Sequence, residues 1–139
     1  MSQENVELAR RAFEAFQQGL RSGNPAAPFD AGLNAPDAEW VMPPSSPGFR
    51  DVYRGRAGFL DFMRTWTEDF EWEIELEQMV DAGNDKAVGI FHQRATGKGS
   101  GVPVELRMGL LYEFRNGRIA RMTNFLDPAD AFKAAGLAE

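Results

Sequence analysis

The chain has 139 residues, 43% of them hydrophobic and 12% aromatic, and carries a formal charge of −6 with a pI near 4.9. A chain of this length suits one domain spanning 1–139 that buries roughly two-thirds of its unfolded surface, and its negative charge, without a basic cluster to override it, excludes nucleic acid as a partner. With no cysteine there is no disulfide, thiolate zinc site or thiol nucleophile, and with no span of ~20 apolar residues and no signal-peptide core the expectation is a cytoplasmic protein without membrane contact.

Ser2 is the expected cap of a first helix through QENVELARRAFEAFQQGL, in which Val6, Ala9, Phe13, Phe16 and Leu20 recur at helical spacing. Gly19, then Gly23, Asn24 and Pro25, are its stop signals. PAAPFDAGL holds a short second helix, and Asp37 to Met42 alternates as a strand with Trp40 and Met42 on one face. That strand runs into a loop held by Pro43, Pro44 and Pro47 and carrying Phe49 and Tyr53. From Gly55 to Thr67, the spacing of Phe59, Phe62, Met63 and Trp66 predicts a third helix with an apolar stripe.

Beyond Phe70 the period changes to two. In EWEIELEQMVDA, Glu71, Glu73, Glu75 and Glu77 face one way and Trp72, Ile74 and Leu76 the other, which predicts a strand with a solvated or interface face. Three more strands follow, KAVGIFHQRATG, VPVELRMGLLYEF and IARMTNFL, joined by AGND, by KGSG and by the Asn-Gly pair of RNGR. The glycines and lysine of GKGSG join two strands, do not open a helix, and lack phosphate-loop spacing. Asp127 before Pro128 caps a closing helix that stops at Gly136. Helices followed by an antiparallel meander predict an α+β fold with a curved sheet wrapped around the N-terminal helices.

The segments ENVELARRAFEAF, AEWVMPP, YRGRAGFLDFMRTW, NGRIARMTNFLDPADAF and AAGL resemble the SnoaL-like branch of the NTF2-like superfamily over nearly the whole chain. The resemblance implies a cone with a pocket between the helices and the concave face of the sheet, and a proline loop near its mouth. It does not imply one activity, because the superfamily includes ketosteroid isomerases, epoxide hydrolases, polyketide cyclases and binding domains. Where the isomerases carry their base this chain has Met42, and their oxyanion phenol falls near Ala12 and Phe13. Their hydrogen-bonding acid falls near Leu110, and the catalytic aspartate of the epoxide hydrolases corresponds to Asn124. Steroid isomerisation is therefore not expected.

The polar candidates for such a cone are His92 and Asn124 as catalytic groups and Arg94 as a ligand contact. His92 and Arg94 share a strand face with Val88 and Ile90; a histidine there either exchanges protons near neutral pH, with Arg94 polarising an oxygen, or sits on the convex side. Asn124, in phase with Met122 and Leu126, can orient a carbonyl or water but cannot accept a proton. Trp40, Met42, Phe49, Tyr53, Trp66 and Met108 are the remaining expected ligand contacts, with Pro43, Pro44 and Pro47 at the rim. One histidine and no cysteine leave no metal site, and no cofactor is expected. The face of Glu105, Arg107, Gly109, Leu111 and Glu113 is the expected contact of a homodimer formed through the sheet. Three functions remain open: binding a small hydrophobic molecule, a lyase, isomerase or hydrolase activity on a polyketide-, steroid- or terpenoid-like substrate, and a non-catalytic dimeric scaffold.

Overall fold

The computed structural model describes residues 2–137. The chain order is α1 (Ser2–Ser22), α2 (Ala27–Asp30), β1 (Asn34–Val41), β2 (Val52–Arg54), α3 (Gly55–Trp66), β3 (Phe70–Gly83), β4 (Lys86–Gly97), β5 (Pro103–Arg115), β6 (Arg118–Phe125) and α4 (Pro128–Ala134). The six strands lie in the order β2-β1-β6-β5-β4-β3. Every pairing is antiparallel except that of β1 with β6, which is parallel. This is the expected α+β architecture of helices against a mostly antiparallel sheet.

The capping expected of Ser2 concerns a side chain outside the described residues. The apolar stripe of α1 buries Leu8, Ala9, Ala12 and Phe13 in a core shared with Phe91, Leu110, Tyr112, Ile119 and Met122 from the meander. Gly19 does not stop α1, which continues to Ser22. Its role is close approach: the Asn24 N–H donates to the Gly19 carbonyl at 2.7 Å, and a Cβ on Gly19 would lie 2.0 Å from the Asn24 carbonyl oxygen. Gly23, at φ +89°, makes the left-handed turn that ends the helix.

The meander matches the period-two pattern with one correction. Leu76 pairs with Phe91 but Gln78 with Ile90, so a bulge at this point exchanges the two faces of β3. Met79, not Gln78, is therefore buried beyond Leu76. The short β2 is an element that the sequence pattern does not announce, and β1 begins at Asn34, earlier than the alternation from Asp37 suggests.

The closing helix is capped as expected, the Asp127 carboxylate accepting from the Ala129 N–H at 3.0 Å. It lies on the convex side of the sheet, where Ala131 and Ala135 form a core with Val88 and Leu111. This corrects the expected dimer face at its centre. Leu111 is buried beneath the chain's own helix, and Gly109 gives that helix room: a Cβ there would lie 2.7 Å from Ala131 Cβ and 3.0 Å from Pro128 Cα. What remains uncovered on the convex side is charged, with Arg107 donating to Glu77 at 3.0 Å and His92 Nε2 2.8 Å from a Glu105 oxygen. Exposed pairs of this kind contribute about 0–1 kcal/mol each. Among the described residues no helix is long and apolar enough to cross a membrane.

Replacing Gly109 by alanine should overpack the seam between β5 and α4 and cost about 1–3 kcal/mol in urea unfolding. Gly99→Ala, which meets no atom within 4 Å, should stay within about 0.5 kcal/mol of the parent. Equal losses at the two positions would contradict the packing of α4 on Gly109.

Candidate functional site

The concave face of the sheet, α1 and α3 enclose two adjoining spaces. The inner chamber, about 70 Å³, lies among Phe13, Asn34, Phe91, Tyr112 and Met122. The outer chamber, about 330 Å³, opens at the proline loop. Both are bordered by Phe16, Trp40, Ile74, Gln93, Met108 and Asn124, which makes these residues the passage between them.

Strand parity places each group. On β4, Phe91 reaches the core while Gln93, two residues on, borders both chambers. On β5 the same parity points Met108, Leu110 and Tyr112 inward, and on β6 Met122 and Asn124. Aromatic stacking builds the outer wall: Phe62 and Trp66 lie 5.7 Å apart at 21°, and Trp66 and Trp72 lie 4.6 Å apart at 15°. The Trp72 indole N–H donates to the Trp66 carbonyl at 2.7 Å, which fixes one face of that wall. Pro43, Pro44, Pro47, Phe49, Leu106 and Leu126 form the mouth, Leu126 being 65% exposed.

The structure brings Trp40, Met42, Phe49, Trp66, Met108 and Asn124 to the chambers. It does not bring Tyr53, His92 or Arg94 there. Tyr53, 3% exposed, is packed against Phe62 and its hydroxyl accepts from the Arg50 backbone N–H at 3.0 Å, so it anchors the base of the loop instead of meeting a ligand. Arg50 reinforces that anchor, with its guanidinium 4.8 Å above the Tyr53 ring and 3.1 Å from Asp61 on α3. Hydrogen bonding from Arg50, and secondarily from Arg64, holds the Asp61 carboxyl below the ordinary carboxylate range.

His92 and Arg94 stand on the convex side because Phe91 and Gln93 occupy the inward positions of β4. His92 lies between Glu105 at 2.8 Å and Glu75 at 4.0 Å, and Arg94 reaches towards Glu73 at 3.9 Å. A general acid or base role for His92 inside the cone is thereby corrected, as is a contact by Arg94 with a ligand in these two chambers; Arg94 borders an open groove with Phe13, Gln17 and Ile74 instead. Gln93, Asn34 and Tyr112 are the polar groups that the sequence reading did not select. The pairing of Leu76 with Phe91 would have revealed Gln93, since it extends the inward face of Trp72, Ile74 and Leu76 onto the next strand.

Among the described residues, no Asp, Glu, His, Lys or Arg borders either chamber, and no group of three or more such acids or histidines is placed to hold a metal ion. The polar lining is amide, indole, hydroxyl and phenol. The Asn124 Nδ2 donates to the Val41 carbonyl at 2.8 Å, a bond that also fixes the amide orientation because a carbonyl can only accept. Burial pushes the Tyr112 phenol well above its ordinary value of 10.0. The site can therefore orient carbonyls, hydroxyls and water, but it holds no side chain that exchanges protons near neutral pH.

Residues 9–122 match the family described as the SnoaL-like domain. No curated protein is significantly similar to the chain. Among solved structures, an NTF2-like protein of unknown function from Burkholderia pseudomallei is 22% identical, with a TM-score of 0.73 over 96% of this chain and 97% of that one. A candidate SnoaL-like polyketide cyclase from Jannaschia sp. is 19% identical, with a TM-score of 0.74 over 100% of this chain and 95% of that one. TerC, co-crystallised with polyporic acid, is 19% identical, with a TM-score of 0.71 over 96% and 98% of the two chains. At these identities the likeness is one of fold.

A buried phenol gives this site a signature in alkali. Its raised value means that the folded chain keeps the proton after an unfolded tyrosine would lose it, so the contribution of Tyr112 to stability is fully present below pH 10 and is lost as pH rises above that value. Comparison of the parent with Tyr112→Phe at 295 nm should show the Tyr112 phenolate appearing only as the fold melts. A Tyr112 signal that develops near pH 10 while tertiary structure persists would place the phenol in water.

Proposed function

The chain belongs to the SnoaL-like domain family, and from that premise we propose that it binds a small, uncharged, predominantly flat organic molecule in the cone. The observation that carries the proposal is the chemical make-up of the two chambers, aromatic and aliphatic walls with amide and phenol groups and no ionised side chain. An ion entering them would lose its hydration without meeting an opposite charge. A neutral ring system meets the stacked wall of Phe62, Trp66 and Trp72 and loses only apolar hydration. The outer chamber is within the range of small-molecule pockets, roughly 300–1,000 Å³, which argues against a scaffold whose cone is filled by its own side chains.

A second reading, a lyase, isomerase or hydrolase, draws support from the Jannaschia structure described as a candidate polyketide cyclase. In that reading the chambers contribute orientation, holding a reactive conformer between Asn124 and the aromatic wall, while the acidity belongs to the substrate. A second copy paired through the sheet would meet the charged strip of Glu75, Glu77, His92, Glu105 and Arg107 instead of Leu111.

All three tryptophans of the chain border the outer chamber, so their fluorescence tests the proposal. Uncharged planar aromatics should quench it saturably, and carboxylate analogues of the same skeleton should bind at least about tenfold more weakly, equivalent to about 1.4 kcal/mol. Phe49→Ala should weaken binding by a similar factor and His92→Gln should leave it unchanged. Affinity for a non-ionisable compound should be unchanged across the neutral pH range, because no group that exchanges protons there borders the chambers. The proposal fails if no compound alters fluorescence or melting temperature, or if carboxylates bind better than their neutral counterparts.

A further inference from the structure

Tyr112 is 3% exposed and borders the inner chamber. Among the described residues its hydroxyl meets no hydrogen-bond partner, and it differs from Asn34 Oδ1 and Trp40 Nε1, the side-chain atoms that are both unpaired and sealed from solvent, in keeping accessible surface. A buried hydroxyl without a partner costs stability. Packing does not require it: Phe114, two residues along the same inward face, lies stacked with the Tyr112 ring at 6.3 Å and 16° and carries no side-chain polar atom. A phenylalanine at 112 would fill the same space without that cost.

The strand register places a second polar group within reach. Tyr112 lies opposite Met122 and Leu110 opposite Asn124, so Tyr112 and Asn124 are diagonal neighbours on the concave face, with Cα atoms about 7–8 Å apart. The Asn124 Nδ2 is turned to the Val41 carbonyl, which leaves Oδ1, also unpaired and not sealed, as an acceptor at the passage between the chambers. The inner chamber of about 70 Å³ is too small for a fused ring system, whereas the outer one of about 330 Å³ has room for it.

Resting on the binding reading above, we infer that the inner chamber is an end-on subsite for a neutral hydroxyl group, held by Tyr112 and Asn124, with the flat remainder of the molecule in the outer chamber. The Tyr112 O–H donates to the oxygen of that hydroxyl, and the hydroxyl donates to Asn124 Oδ1. The ligand class is a flat ring system with a hydroxyl at one end. A bare hydrocarbon leaves both protein groups unpaired, the kind of mismatch that discriminates strongly between similar ligands.

The chain has two tyrosines, so tyrosine labelled with ¹³C at Cζ gives two signals, which Tyr112→Phe assigns. Addition of 2-naphthol at neutral pH, where it is uncharged, should shift the Tyr112 signal saturably. Tyr53, whose hydroxyl already accepts from the Arg50 N–H at 3.0 Å, should stay in place. In calorimetric titration 2-naphthol should bind at least about tenfold more tightly than naphthalene, and Tyr112→Phe, which keeps the ring, should remove that advantage. A Tyr112 signal that stays fixed while 2-naphthol binds, or a preference for the hydroxyl that survives Tyr112→Phe, overturns this inference and leaves the binding reading standing. Absence of binding by both compounds, with no uncharged aromatic quenching fluorescence, overturns both.

Discussion

The parallel pairing of β1 with β6 is the contact on which the cone depends. It joins the N-terminal half of the chain to the meander, sets Trp40 beside Met122, and ends where Asn124 donates to the Val41 carbonyl at 2.8 Å. Beyond that bond β1 can only leave the sheet, and Met42 and the prolines that follow carry the chain over the open end of the cone. The loop then returns as β2, whose pairing of Tyr53 with Trp40 closes it at the base. Asn124 thus holds the passage between the chambers open and fixes the strand from which the mouth hangs.

A second consequence concerns charge. The chain places its acids and arginines on the convex side and around the loop, as in the ion pairs of Arg107 with Glu77 and of Arg50 with Asp61, while the concave side receives amides, indoles and a phenol. A cavity so arranged discriminates by desolvation: neutral molecules enter at little cost, and ions face a penalty that no lining group offsets. It also separates this chain from relatives whose chemistry needs a carboxylate base, because Met42, Leu110 and Asn124 stand where such acids were expected from the resemblance.

Much of the fold was legible because local chemistry and tertiary packing agree. Glu71 to Leu76 alternates, Asn116-Gly117 turns, and Asp127-Pro128 starts a helix, each for reasons contained within a few residues. The site was less legible, and β4 shows why. Ala87, Gly89 and Phe91 are apolar on one face and Val88 and Ile90 on the other, so periodicity could not tell inside from outside. The second apolar face exists because α4 covers it, a contact made some forty residues later in the chain through Gly109 and Leu111. His92 and Gln93 exchanged roles for that reason. Tyr53 was misassigned through a similar gap, since β2 is too short for a pattern and its buried position follows from pairing with β1.

The account's central claim is that a neutral ligand occupies the cone. The most direct measurement is the set of indole N–H resonances in a ¹H–¹⁵N spectrum recorded while 9-fluorenone, an uncharged planar aromatic, is added. The account predicts saturable shifts of the Trp66 and Trp72 resonances as an aromatic ring meets the stacked wall they form. Tryptophan resonances that stay fixed while the amides of His92, Glu105 and Arg107 shift would move the binding surface to the convex face and contradict the account.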